Sequence, residues 1–203
     1  MFRLLPDQDH APERLFLPGL LLAAAVLGLA AWGDTGRELL RYDRAGLAAG
    51  EWWRLLSGHL VHLGWRHAAM DLAAALTLGW LFGRVLSPRR WAWILLLSLL
   101  TVNAGLWWLV PGITWYVGLS GVLHGVMAAA SVTLARRRLP AGWWLLGALA
   151  LKLGVEQLYG PLWLAAESAG GPVIVNAHLY GAVGGVLAAL VPGPGREPSI
   201  MDR

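Results

Sequence analysis

Six apolar stretches, each close to the length a helix needs to cross a bilayer, recur along this chain and leave few folds open to it. They fall at about 15–32, 67–85, 91–110, 119–135, 143–158 and 173–191. Composition agrees, because 57% of the 203 residues are hydrophobic and 14% charged, too little polar surface for a soluble domain of this size. The reading is an all-α membrane protein, a bundle of six transmembrane helices with the lipid bilayer as its solvent. It divides into a segment 1–14, a membrane domain 15–191 that includes a long loop 33–66, and a tail 192–203. A cleavable signal is the alternative for the first stretch, with Ala30 and Ala31 as small residues near a cut. Asp7, Asp9 and Glu13 precede it where a signal carries basic residues, which argues for a retained helix.

Charge sets the orientation. Arg3 and Arg14 precede the first stretch, and Arg84, Arg89 and Arg90 lie between the second and third. Arg136, Arg137 and Arg138 separate the fourth from the fifth, and Arg196 and Arg203 end the chain. These regions share one side, while the loops after the third and fifth stretches hold no Lys or Arg, so both termini are expected in the cytoplasm. The loop 33–66 mixes Arg37, Arg41, Arg44, Arg54 and Arg66 with Asp34, Glu38, Asp43 and Glu51, which suits a folded, partly interfacial loop. This clustering accounts for the formal net charge of +4 without a nucleic-acid partner. No internal repeat is evident, which argues against an inverted-repeat transporter. The absence of cysteine removes disulfides, thiolate metal sites and thiol nucleophiles, and leaves covalent chemistry to Ser, Thr, Lys or a carboxylate.

Helix arithmetic then compares depths. At about 1.5 Å per residue, Ser120 lies about 24 Å above Arg136, and His178 about 20 Å above Val191. His67 lies about 26 Å and Asp71 about 20 Å above Arg84, in a core about 30 Å thick. They converge on one level below the outer surface, where ionisable groups are costly and usually functional. Gly181 and Gly185 follow His178 on its helical face, and Gly121 and Gly125 follow Ser120 with the same four-residue spacing. Such pairs let two backbones approach closely, so the fourth and sixth spans are expected to pack, although the same pattern also serves packing alone.

Gly118-Leu119-Ser120-Gly121 opens the fourth span after a short outer loop, which puts Ser120 on a turn into a helix where backbone N–H groups, around Gly118 and Gly121, face a developing oxyanion. His59, His62 and His67 gather where the long loop enters the second span. A metal site is the alternative for these three, but there is no HExxH and a loop separates His67 from the others, so neither metal nor cofactor is expected. His124, one turn below Ser120, is read as a buried histidine satisfying a nearby carbonyl.

Together these residues resemble the rhomboid intramembrane serine proteases, and most closely their rhombosortase branch. The resemblance runs over nearly the whole chain. It rests on Trp53-Arg54-Leu55, the histidine-rich approach ending at His67, and Gly118-Leu119-Ser120-Gly121-Val122-Leu123-His124-Gly125. The stretch 152–157 and Ala177-His178-Leu179 with its following glycines complete it. It implies a six-helix fold in which Ser120 is the nucleophile and His178 its general base, then acid, in a dyad with no third carboxylate. His67 would help line the oxyanion hole. The implied substrate is a membrane-anchored protein whose C-terminal tail has a Gly-Gly site, a hydrophobic span and a basic end, cut at the periplasmic side of a Gram-negative inner membrane.

General rhomboids place an asparagine four residues after the first histidine, where this chain has Asp71. An ionised carboxylate there would repel an oxyanion. Two rescues are open: a neutral Asp71, or an Asp71 that faces away and pairs with His67 at i, i+4, the favoured reading, making His67 a charged donor. Lys152 and Glu156 form a second i, i+4 pair, with Glu156 about 21 Å above Gly142 and so level with the dyad. The pair is expected either to neutralise itself or to shape a substrate gate beside the fifth span. Most of the thirteen tryptophans, including Trp52, Trp53, Trp107, Trp108, Trp143 and Trp144, fall near span ends as interfacial anchors. Two other functions stay open: a non-catalytic relative that binds membrane clients, made thinkable by Asp71, and a histidine-liganded metal or haem protein. The sequence carries no signal for oligomeric state.

Overall fold

The computed structural model describes residues 11–191 apart from 163–166 and 168, with side chains from residue 17 onward. Arg3, Arg196, Arg203 and the tail 192–203 lie outside the described residues. Helix α1 runs over Ala11–Ala31, and the chain turns by 112° at Gly33, whose φ of 69° favours glycine, into α2 (Gly33–Leu40). A short strand β1 (Tyr42–Asp43) leads to α3 (Arg44–Ala48), where the Asp43 carboxylate accepts the Gly46 N–H at 2.9 Å as an N-cap, and then to α4 (Arg54–Ser57). The expected folded loop is therefore three small helices and a strand.

Five long helices follow: α5 (Trp65–Phe82), α6 (Pro88–Trp108), α7 (Ser120–Arg136), α8 (Pro140–Tyr159) and α9 (Val175–Leu190). Proline occupies the first turn of both α6 and α8, where its missing N–H costs nothing, and the Ser87 hydroxyl caps α6 by accepting the Arg90 N–H at 3.3 Å. Strand β2 (Trp115–Tyr116) lies between α6 and α7 and pairs antiparallel with β1, Tyr42 opposite Tyr116 and Asp43 opposite Trp115. All six expected stretches are helical, with ends that differ by a few residues. Among the described residues, α6 alone is long and apolar enough to cross a bilayer outright. Helix α9 is apolar but has 16 residues, about 24 Å of rise.

Helix α7 is the central post. Eleven of its residues are buried, and α5, α6, α8 and α9 pack on it while α1 packs on α5. Apolar side chains fill the core and also cover much of the outside. Leu76, Trp80, Trp108, Trp144, Leu151 and Leu158 turn outward, while Asp71, Ser98, Asn103, Glu156 and His178 are inside. Such a rim is stable against lipid and not against water. The expected interfacial Trp52, Trp53, Trp108, Trp143 and Trp144 are all exposed.

The α7–α9 contact is made by main chains. A Cβ placed on Gly181 would stand 1.8 Å from Gly121 O, one on Gly185 would stand 1.9 Å from Gly125 O, and one on Gly125 would stand 2.6 Å from Gly181 O. These four glycines let two helices touch backbone to backbone, the small-residue packing their spacing predicts.

The loop 33–66 is bolted to the bundle by arginine. Arg44 donates through Nη2 to the Leu106 and Trp107 carbonyls at 2.7 and 3.0 Å, satisfying the C-terminal end of α6, and its guanidinium lies 4.8 Å from the Trp107 ring. Arg54, nearly buried, donates to the Glu38 and Arg41 carbonyls at 3.1 and 2.9 Å and pairs with Glu51. Asn103 Nδ2 on α6 donates to Leu55 O at 2.9 Å.

Candidate active site

Segment 115–120 delivers Ser120, and two contacts from outside and one within it fix its course. The β1–β2 bridge holds Trp115 and Tyr116, Gly118 N–H donates to Gly58 O at 3.1 Å, and the Tyr116 hydroxyl donates to Gly118 O at 2.6 Å. Gly118 has φ +114°, a conformation open to glycine and strained for other residues, and its missing side chain is the space the His67 ring fills: a Cβ there would lie 2.9 Å from His67 Cε1. Ser120 is half-buried as the first residue of α7.

His178 enters from α9 across the glycine contact. Its Nε2 is 3.0 Å from Ser120 Oγ, and it is 4% exposed. A hydroxyl at this distance from an imidazole nitrogen has a proton acceptor within hydrogen-bond reach, the arrangement that nucleophilic catalysis requires. The ring is held on two further sides. His124 stacks on it with centroids 4.2 Å apart and an interplanar angle of 13°, while its own Nδ1 meets Ser120 O at 2.7 Å, the carbonyl contact expected of it. Glu156 Oε2 on α8 lies 2.9 Å from His178 Nδ1.

That last contact departs from the resemblance, which implies a pair with no third carboxylate. Lys152 and Glu156 do form their i, i+4 pair, at 2.7 Å between Nζ and Oε1, but the second oxygen belongs to the site. Helix arithmetic places Glu156 at the right level; it gives no rotational phase, so the facing side of α8 is not legible from it.

Asp71 also differs from expectation. Its nearest side-chain partner is His62, at 3.0 Å between Nε2 and Oδ2, with His67 Nε2 at 3.6 Å. Nor does it face away from Ser120: Oδ2 accepts the backbone N–H of Leu119 at 2.8 Å and of Ser120 at 3.1 Å, so a carboxylate from α5 caps the N-terminus of α7. The physical reason is that His62 and the orphan amides of Leu119 and Ser120 offer the carboxylate three partners closer than the imidazole at i, i+4. His67 accepts the Leu63 N–H on Nδ1 at 3.4 Å, which puts its proton on Nε2 and makes it a neutral donor rather than the expected imidazolium. The His62 and His67 rings sit edge to face at 5.0 Å.

His59 is a packing element. It is 1% exposed, its ring is edge-on to Tyr116 at 5.4 Å, and burial pushes its pKa down to about 4. Among the described residues, the side chains that bring three ligand atoms within 4.8 Å of one another are His124, Glu156 and His178, not the loop histidines. In this trio the His178 nitrogens meet Ser120 Oγ and Glu156 Oε2, and His124 Nδ1 meets Ser120 O, so these atoms are engaged in hydrogen bonds.

Beside the site lies an apolar cavity of about 400 Å³, lined by Thr77 and Leu81 of α5, His124 and Met127 of α7, and Leu149 and Lys152 of α8. It opens between α5 and α8 with α7 as its floor.

No curated protein matches the chain. A family model described as the Rhomboid domain matches residues 49–194, well over half of the sequence, and takes in α4 through α9 with Ser120 and His178. With that match, this membrane protein belongs to the rhomboid family, whose members are generally intramembrane serine proteases.

Proposed function

We propose that this chain is an active intramembrane serine endopeptidase of the rhombosortase branch, with Ser120 as nucleophile and His178 as general base and then acid. The single observation that carries the reading is the 3.0 Å approach of Ser120 Oγ to His178 Nε2 beside an apolar cleft. Ser120 Oγ attacks the scissile carbonyl carbon while its proton passes to His178 Nε2. The tetrahedral intermediate collapses as His178 returns that proton to the departing amine nitrogen, and water hydrolyses the acyl-enzyme by the same route. The neutral His67 Nε2–H and the Ser120 amide are the donors we assign to the developing oxyanion.

The substrate is a membrane-anchored protein with a C-terminal Gly-Gly site, a hydrophobic span and a basic tail. Glycine suits the site twice, because each one weakens a helix by about 1 kcal/mol and so frees the backbone for attack, and because a half-buried serine admits a chain without side chains more readily. The span would lie in the cleft between α5 and α8, and the basic tail would remain on the cytoplasmic side. Following the resemblance we place the chain in a Gram-negative inner membrane, as six spans over 15–191 from its apolar stretches, and the arginine distribution supports the 1–14 segment and the 192–203 tail in the cytoplasm.

The test is co-expression with a reporter carrying such a tail, reading the new terminus by mass spectrometry. The wild type is expected to release a product ending at the Gly-Gly site, and Ser120→Ala none. The same product from Ser120→Ala would sink the assignment.

One contact favours the alternative of a client-binding, non-cutting relative: Asp71 Oδ2 already holds the Ser120 N–H. An incoming oxyanion must displace that oxygen. Asp71→Asn keeps the acceptor and removes the charge, so it should bind the amide less tightly, as neutral hydrogen bonds are about half as strong as charge-assisted ones. The Asn variant is expected to cleave at least as fast as the wild type, up to about tenfold faster. A loss of more than about tenfold in kcat/KM would mean that the carboxylate itself is required.

A further inference from the structure

Glu156 is 1% exposed and divides its carboxylate between two partners, Oε1 to Lys152 Nζ at 2.7 Å and Oε2 to His178 Nδ1 at 2.9 Å. A carboxylate only accepts, so a hydrogen bond to it requires the proton of a neutral His178 to be on Nδ1. The lone pair is then on Nε2, 3.0 Å from Ser120 Oγ, the one tautomer able to take the serine proton. The opposite tautomer would set a lone pair against the carboxylate and an N–H against the hydroxyl. Lys152 keeps Glu156 from being an isolated buried charge, while the second oxygen stays directed at His178.

We infer that Glu156 is a positioning residue that completes a Ser120–His178–Glu156 triad, holding His178 in its Nδ1–H form and stabilising the imidazolium during attack. The inference rests on the reading of Ser120 and His178 as the reacting pair. Glu156 takes no proton: the serine proton moves to His178 Nε2 and then to the leaving nitrogen, while the Nδ1 proton stays shared with the carboxylate throughout. The Lys152–Glu156 pair is thereby more than a charge-neutral bridge or the frame of a gate.

The experiment compares the full chain in proteoliposomes with Glu156→Gln, Lys152→Met and Ser120→Ala, measuring kcat and KM on the Gly-Gly-tailed reporter and the thermal midpoint of each. Glutamine keeps the shape but offers Nδ1 a donor as readily as an acceptor. Glu156→Gln is expected to lower kcat by about 10²- to 10⁴-fold, with KM changed less than about threefold and the midpoint nearly kept. Lys152→Met, which leaves the carboxylate on His178, is expected to lose at least about tenfold less in kcat. Equal losses in the two variants would make the pair a structural bridge and overturn the triad. So would a Glu156→Gln enzyme with wild-type kcat alongside an inert Ser120→Ala, an outcome that leaves the protease reading standing. Cleavage by Ser120→Ala would instead defeat that reading itself. If Glu156→Gln fails to fold, the wild type still decides: ¹⁵N-histidine spectra, with His178 assigned by its loss in His178→Ala, should show Nδ1 protonated and Nε2 bare. A proton on Nε2 would overturn the inference.

Discussion

His178→Ala is expected to lower kcat for reporter cleavage by about 10⁶-fold, and the double variant with Ser120→Ala is expected to be no worse. Serine and histidine act as a unit. A serine hydroxyl at its ordinary acidity is a poor nucleophile, so removing the base disables the attack as fully as removing the oxygen. The remaining rate, about 10³- to 10⁴-fold over water in comparable serine enzymes, would come from donors such as His67 and from substrate positioning. Single-turnover cleavage of a fluorescent tailed reporter in proteoliposomes measures all three proteins. Losses that multiply in the double variant would show that the two side chains act independently, contrary to their 3.0 Å contact.

The largest effect on stability is expected from one methyl group. Gly181→Ala puts a Cβ 1.8 Å from Gly121 O and 2.6 Å from Gly121 C, both main-chain atoms with no rotamer to yield. Ordinary contact needs about 3.4 Å or more, so α9 and α7 must separate at the level of the site. Overpacking of this kind costs about 3 kcal/mol or more where backbone meets backbone. A shift of about 1 Å between Ser120 and His178 costs a further 10²-fold or so in kcat. Gly147→Ala and Gly154→Ala on α8 are the controls, since an added Cβ there meets nothing within 4 Å. They are expected to be neutral or stabilising by up to about 1 kcal/mol. Thermal unfolding in detergent with parallel kcat measurements separates the cases. A Gly181→Ala protein with the wild-type midpoint would contradict the packing described for α7 and α9.

Much of the arrangement was legible in the sequence because lipid makes hydropathy a direct guide to helices. The six apolar stretches are helical, and the shared depth of Ser120 and His178, with paired glycines after each, anticipated their meeting. Distance along a helix is readable from residue number; direction around it is not, unless the packing partner is known. Residue number therefore yields the level of Glu156 and its local Lys152, while its other oxygen crosses to a residue 22 positions away on another helix. The partners of Asp71 are hidden for a related reason. His67 is its neighbour at i, i+4, yet His62 and the amides of Leu119 and Ser120 come closer, from segments whose approach depends on the folded loop 33–66. The stack of His124 on His178 had no signal beyond its one-turn spacing from Ser120.

Where α7 meets α9, the spacing between hydroxyl and imidazole is set by peptide planes rather than by flexible side chains. A bilayer that thickens, thins or tilts the bundle carries both groups together as one rigid body. Membrane composition should therefore change how often a client reaches the pair, and leave the chemical step itself almost untouched.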